Sequence, residues 1–155
     1  MKNKYYDAET IYDMQGAFFT MSDDRLRHVI AEVFTRIPAG VVDQVIDDCL
    51  YLIQDPEEGG TYFPNTILKN KHICMFAYPL FDEPKKGKVF TILHETAHYY
   101  LKHKSPFEFD NPTDPNSCGK QYNKQEKEAD DLVDKWLKDW ENSQAKLKPK
   151  RKEVN

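Results

Sequence analysis

Two histidines four residues apart, with a glutamate directly after the first, form the stretch of this chain best equipped for chemistry: His94-Glu95-Thr96-Ala97-His98. On an α-helix each residue advances about 100°, so positions four apart lie on one face, one turn apart. Two imidazoles in that arrangement can both reach a single Zn²⁺ at about 2.0–2.1 Å. Glu95 points to the side of that face, where it can take a proton from a water at the metal without filling a metal position. The neighbours Val89, Phe90, Ile92, Leu93, Ala97, Tyr100 and Leu101 suit a buried helix. Two histidines and a carboxylate are costly to bury unsatisfied, and a metal removes that cost for the histidines.

A hydrolytic zinc site needs a third protein ligand and an open fourth position for water. The run Gln125-Glu126-Lys127-Glu128-Ala129-Asp130-Asp131 lies in a second helical stretch downstream. Alone, such an acidic cluster reads as a solvated helix face; after two histidines with metal spacing it is the source of the third ligand. Glu126 precedes the apolar position Ala129 by three and shares its buried face. Glu128 lies about 200° round from Glu126, on the solvent side. Glu126 is therefore the expected ligand. Asp130, one turn further on, is placed to accept a hydrogen bond from the free ring N–H of a ligand histidine. For an oxyanion donor, Tyr99, Tyr122 and His103 stand as open alternatives. His103, five residues after His98 and about 140° round the same helix, falls outside the ligand set.

H-E-x-x-H followed by E-x-x-A-D resembles zinc metallopeptidases of the gluzincin type. More narrowly, the stretch from Ile92 to His103 resembles the ImmA/IrrE family of small intracellular metallopeptidases: an apolar run, H-E-x-x-H, two bulky residues, Leu and a further His. Thr96-Ala97 stands where that family often has Leu-Gly or Leu-Ala. The resemblance extends over about residues 51–137. It implies a zinc cofactor on His94, His98 and Glu126, Glu95 as catalytic base, and a specific intracellular protein as substrate, for example a transcriptional repressor. The third histidine of the metzincin pattern would fall at Lys104, which excludes that class.

The elements that must position these residues read as an α+β fold. It comprises two N-terminal helices, a small three-stranded sheet, the helix bearing the histidines, and a C-terminal helix bearing the third ligand. Ser22 is the expected N-cap of a helix whose stripe Leu26, Val29, Ile30, Val33, Phe34 and Ile37 recurs at steps of three and four. Pro38 breaks it, and a second helix follows to about Asp48. Strands are expected over residues 50–53, 61–63 (ended by Pro64) and 71–78, the last apolar on both faces and so covered on both. Residues 79–88, with Lys85, Lys86 and Lys88 on a solvated face, read as a loop. Residues 104–121 read as a long loop, a candidate lid or substrate wall with Phe107 and Phe109 in it. The last helix is expected over about residues 122–140. His28 and His72 read as surface or edge residues.

A chain of 155 residues implies one domain, over residues 1–142 with 1–21 as an N-terminal arm, and a basic disordered tail over 143–155. The net charge of −4 argues against a nucleic-acid-binding body, leaving only the lysine-rich tail for such contacts. The three cysteines, Cys49, Cys74 and Cys118, are odd in number and widely spaced. They read as free thiols in a reducing compartment. With neither a signal-like segment nor a membrane span, the expected location is cytoplasmic. The competing reading is a zinc-stabilised regulatory or interaction module without turnover. Glu95 argues against it, because a purely structural site has no use for a base and closes with four protein ligands.

Overall fold

The computed structural model describes residues 4–16, 19–54, 60–68, 71–104 and 115–147, with the backbone alone described at 54, 60–68 and 115–118. Its elements run α1 (Ala8–Met14), α2 (Asp24–Phe34), α3 (Ala39–Asp48), β1 (Cys49–Gln54), β2 (Gly60–Leu68), β3 (Lys71–Ala77), α4 (Lys85–Tyr100) and α5 (Pro115–Leu147). The fold is α+β with a three-stranded sheet, as expected, but three helices precede the sheet instead of two.

The additional helix, α1, lies in the stretch expected to be an arm. Asp7 caps it by accepting from the Thr10 N–H, and Ile11 is fully buried in the common core. Tyr12 donates to Asp24 at 2.6 Å, and the Arg27 guanidinium donates to the Tyr12 carbonyl at 2.8 Å, which fastens α1 to α2. The N-cap of α2 is Asp23, not Ser22: its carboxylate accepts from Leu26 N–H at 2.9 Å. Met21 and Ser22 both have positive φ, 48° and 63°, so Ser22 belongs to the preceding turn and lacks the extended backbone an N-cap needs. Leu26, Ile30, Val33 and Phe34 face the core, and α3 adds Val41, Val42 and Val45. His28 is exposed and bonds to Asp24 of its own helix.

The sheet order is β1-β3-β2, with β1 parallel and β2 antiparallel to the central β3. Burial of Ile73, Cys74, Phe76 and Ala77 agrees with a central strand covered on both faces. The second strand extends beyond its expected end at Pro64, to Leu68. Its pairing with β3 nevertheless shifts register between Phe63 and Leu68. Proline has no N–H to give to a ladder, and an edge strand tolerates it. The expected loop over 79–88 is shorter: a 3-10 turn spans Tyr78–Asp82, and α4 starts at Lys85 behind Pro84. Lys88, expected in a solvated face, donates to the Phe81 carbonyl at 3.0 Å.

α5 is longer than expected at both ends. Residues 115–121, assigned to the long loop, and 143–147, assigned to the tail, are helical. Residues 105–114 of that loop, with Phe107 and Phe109, and residues 148–155 lie outside the described residues, as does the Cys118 side chain. Cys49 and Cys74 are buried free thiols. Among the described residues no helix is long and apolar enough to cross a membrane.

α4 rests on the sheet through Tyr51, which is fully buried and stacks on Phe76 of β3. Thr96 of α4 donates its hydroxyl proton to the Ile92 carbonyl at 2.8 Å, so Tyr51 Oη donates to Thr96 Oγ1 at 2.6 Å. This bond crosses from β1 to the middle of the histidine motif. Tyr51→Phe should remove it while Thr96 keeps its own acceptor, costing about 1 kcal/mol of stability in denaturant unfolding. A loss near zero would mean the bond does not hold α4 to the sheet.

Candidate metal centre

His94 and His98 project from one face of α4 toward α5. Ile92, Leu93 and Ala97 on its other faces are fully buried and fix the rotation of the helix. α5 presents Glu126 to the same place because Ala129 and Val133 are buried against the core, with Trp136 a turn further on. Its register is set by Gln125. The Gln125 amide donates to the Lys104 carbonyl at 3.0 Å and accepts from the Lys104 N–H at 2.9 Å, clamping α5 to the segment that leaves α4.

The side chains converge as the spacing implies. His94 Nε2 and His98 Nε2 are 3.0 Å apart, and the Glu126 carboxylate oxygens lie 3.1 Å from the first and 3.3 Å from the second. Donor atoms on a tetrahedral ion at about 2.0–2.1 Å stand about 3.3 Å from one another, and one donor atom from each of the three residues lies within 4.8 Å of the other two, close enough to share one ion. Asp130 takes the role read for it: its carboxylate accepts from His94 Nδ1 at 2.9 Å. That bond places the His94 proton on Nδ1 and leaves Nε2 for a metal. His98 is buried, and burial first, then the proximity of His94 and His103, pushes its pKa down to about 3, so its ring is neutral and able to donate a lone pair. His94, His98 and Glu126 form a group that can hold a metal ion, and the donor set fits zinc, though two imidazoles and a carboxylate also accept other divalent ions.

Glu95 is buried at 7% exposure. Burial, and then the charge of Glu126, raises its pKa to about 8. The three residues considered as oxyanion donors have different surroundings. Tyr99 gives its hydroxyl proton to Asp48 at 2.6 Å, at the end of α3. His103 sits behind His98, Nδ1 to Nδ1 at 2.8 Å, on the side away from the metal nitrogens. Tyr122 is exposed at the site. Its pKa is raised by partial burial, then by the charge of Glu126, by its hydrogen bond to Glu126 and by the charge of Glu95. Phe90 stacks on His94, with ring centroids 5.9 Å apart, at the solvent-facing edge of the site.

Two features were not read from the sequence. One is the Gln125 clamp. The other is the position of His103, for which the wheel angle fails because α4 ends at Tyr100. Lys102 adopts φ 57°, its N–H donates to the Tyr99 carbonyl at 3.0 Å, and His103 N–H reaches back to the His98 carbonyl at 3.0 Å. This is a Schellman cap with lysine in the left-handed position usually held by glycine, at a cost of about 1–2 kcal/mol. It folds His103 under His98, where its Nε2 meets Glu128 at 3.1 Å. Glu128 thus lies away from the metal position, as expected, but is partnered. His72, half-buried, packs edge-on against Tyr99 and does not join the group. Comparison with protein-family models, curated proteins and solved structures finds no match.

Glu126→Ala should weaken zinc binding by more than about tenfold in competition with a chromophoric chelator, and Glu128→Ala by a few-fold at most. The opposite order would assign the third ligand to Glu128. The raised pKa of Glu95 also fixes a sign. Its folded-state value of about 8 lies above the ordinary 4.5, so its contribution to stability is full below the ordinary value and is lost as pH rises through 8. Chelator-treated wild type should therefore lose melting temperature relative to Glu95→Gln between pH 5 and about 9. A constant difference would show that Glu95 is already ionised at low pH.

Proposed function

We propose that this chain is a zinc-dependent metallopeptidase of the ImmA/IrrE type. It hydrolyses a peptide bond in a specific intracellular protein, with a transcriptional repressor the substrate class suggested by the resemblance. The observation that carries the reading is the convergence of His94 Nε2, His98 Nε2 and Glu126 beside a buried carboxyl, Glu95. A structural zinc site closes with four protein ligands and needs no general base; three ligands and an adjacent carboxyl are the composition of a hydrolytic site.

When bound, zinc supplies Lewis acidity that polarises the scissile carbonyl and acidifies water. The chain's own residues carry the protons. Glu95 takes the proton from the attacking water and passes it to the leaving amine. A carboxyl whose pKa lies near 8 without metal is lowered by a cation toward the neutral range, where a group can both accept and return a proton. Tyr122, exposed beside Glu126, is the hydroxyl placed to donate to the developing oxyanion. Asp130 keeps His94 oriented through Nδ1. The exposed Phe90 offers an apolar surface for a substrate side chain next to the cleaved bond.

Purified protein incubated with candidate repressors, with and without chelator, tests the reading. The metal-loaded wild type should cleave one of them, and chelation should stop it. Glu95→Gln should retain zinc and lose at least about 10²-fold in rate. Cleavage that survives chelation, or an unchanged rate in Glu95→Gln, would overturn the assignment.

A further inference from the structure

We propose that His103 and Glu128 are positioning residues that hold His98 in the one tautomer able to bind a metal, through a proton relay running Glu128–His103–His98. The proposal rests on His98 being a metal ligand, and it does not depend on what the protein cleaves.

The relay follows from hydrogen-bond polarity. A carboxylate accepts and does not donate, so the proton between Glu128 Oε2 and His103 Nε2, 3.1 Å apart, belongs to the imidazole. His103 is 7% exposed, and with the one proton of a neutral ring placed on Nε2 by Glu128 its Nδ1 holds a lone pair. At 2.8 Å the contact between His103 Nδ1 and His98 Nδ1 needs a proton, which His98 must supply. The lone pair of neutral His98 is then on Nε2, the nitrogen facing His94 Nε2 and Glu126. The reverse order of protons would set a lone pair of His103 against the Glu128 carboxylate.

The two ligand histidines are thus oriented by different means. His94 meets a carboxylate directly at Asp130, whereas His98 meets one through a second imidazole. His103 can stand there only because Lys102 turns the chain back beneath α4. Glu128, 45% exposed in its side chain, is also paired with Lys124 at 3.6 Å, so the outer end of the relay is at the surface while the inner end is at the metal position.

Long-range ¹H–¹⁵N spectra of histidine-labelled protein, metal-free at pH 8 and zinc-loaded, read the protons directly. In both states His98 should carry its proton on Nδ1, with scalar coupling across the hydrogen bond to His103 Nδ1. His103→Phe should abolish the coupling and reduce zinc affinity by about 10- to 100-fold. His103→Asn, whose side-chain oxygen falls where Nδ1 stood, should restore affinity to within a few-fold of wild type. Glu128→Ala, which leaves the core untouched, should spread the His103 proton over both nitrogens, and it decides the matter if His103→Phe does not fold. A wild-type His98 protonated on Nε2, or a His103 proton that stays on Nε2 in Glu128→Ala, would overturn the proposal. A predicted tautomer in a protein that cleaves nothing would sink the peptidase reading alone.

Discussion

Four lone-pair-bearing atoms crowd together here: His94 Nε2 and His98 Nε2 are 3.0 Å apart, one Glu126 oxygen lies 3.1 Å from the first and the other Glu126 oxygen lies 3.3 Å from the second. Such atoms repel unless something positive lies between them. A single proton can serve one pair, but a divalent ion serves all three residues. Most of the surrounding structure works to keep this arrangement from relaxing. The tightly packed α4, seated on Tyr51 and Thr96, prevents the histidines from rotating away. Gln125 prevents α5 from sliding, and Asp130 and His103 prevent the rings from flipping.

The division of labour between the two helices has a physical basis. Between Ile92 and Tyr99 α4 is buried on nearly every side, so it can hold its histidines and Glu95 in fixed positions and lower the local dielectric around them. That burial is what raises Glu95 and lowers His98. α5 is half-solvated and charged, so it can supply carboxylates without paying full desolvation. A buried apolar helix facing a half-solvated row of acids is a good way to build a site whose ligands must stay neutral at nitrogen and charged at oxygen. The small sheet and α1–α3 serve this pair by filling the other side of α4.

Much of this was legible in the sequence wherever helical periodicity continues undisturbed. His94 and His98 at a spacing of four, Glu126 three before the buried Ala129, and Asp130 one turn beyond Glu126 all follow from about 100° per residue. The reading failed where the backbone leaves the regular helix. His103 stays outside the ligand set, as expected, but its place beneath His98 comes from the left-handed Lys102, and lysine at that position gives no warning of the turn. The N-cap moved from Ser22 to Asp23 for the same kind of reason, since Met21 and Ser22 have positive φ without glycine. Gln125 and α1 were missed because their partners, Lys104 and Asp24, come from tertiary packing that no local pattern encodes. β2 runs past Pro64 because an edge strand tolerates a residue without an N–H, which proline's reputation as a strand breaker hides.

Diffraction from crystals loaded with one equivalent of zinc, measured on both sides of the zinc absorption edge, addresses the central claim directly. One anomalous peak is predicted, bonded at about 2.0–2.1 Å to His94 Nε2, His98 Nε2 and a Glu126 oxygen, with its fourth position taken by solvent. A peak on the cysteines or on other acidic residues, or a fourth protein side chain closing the site, would contradict the account.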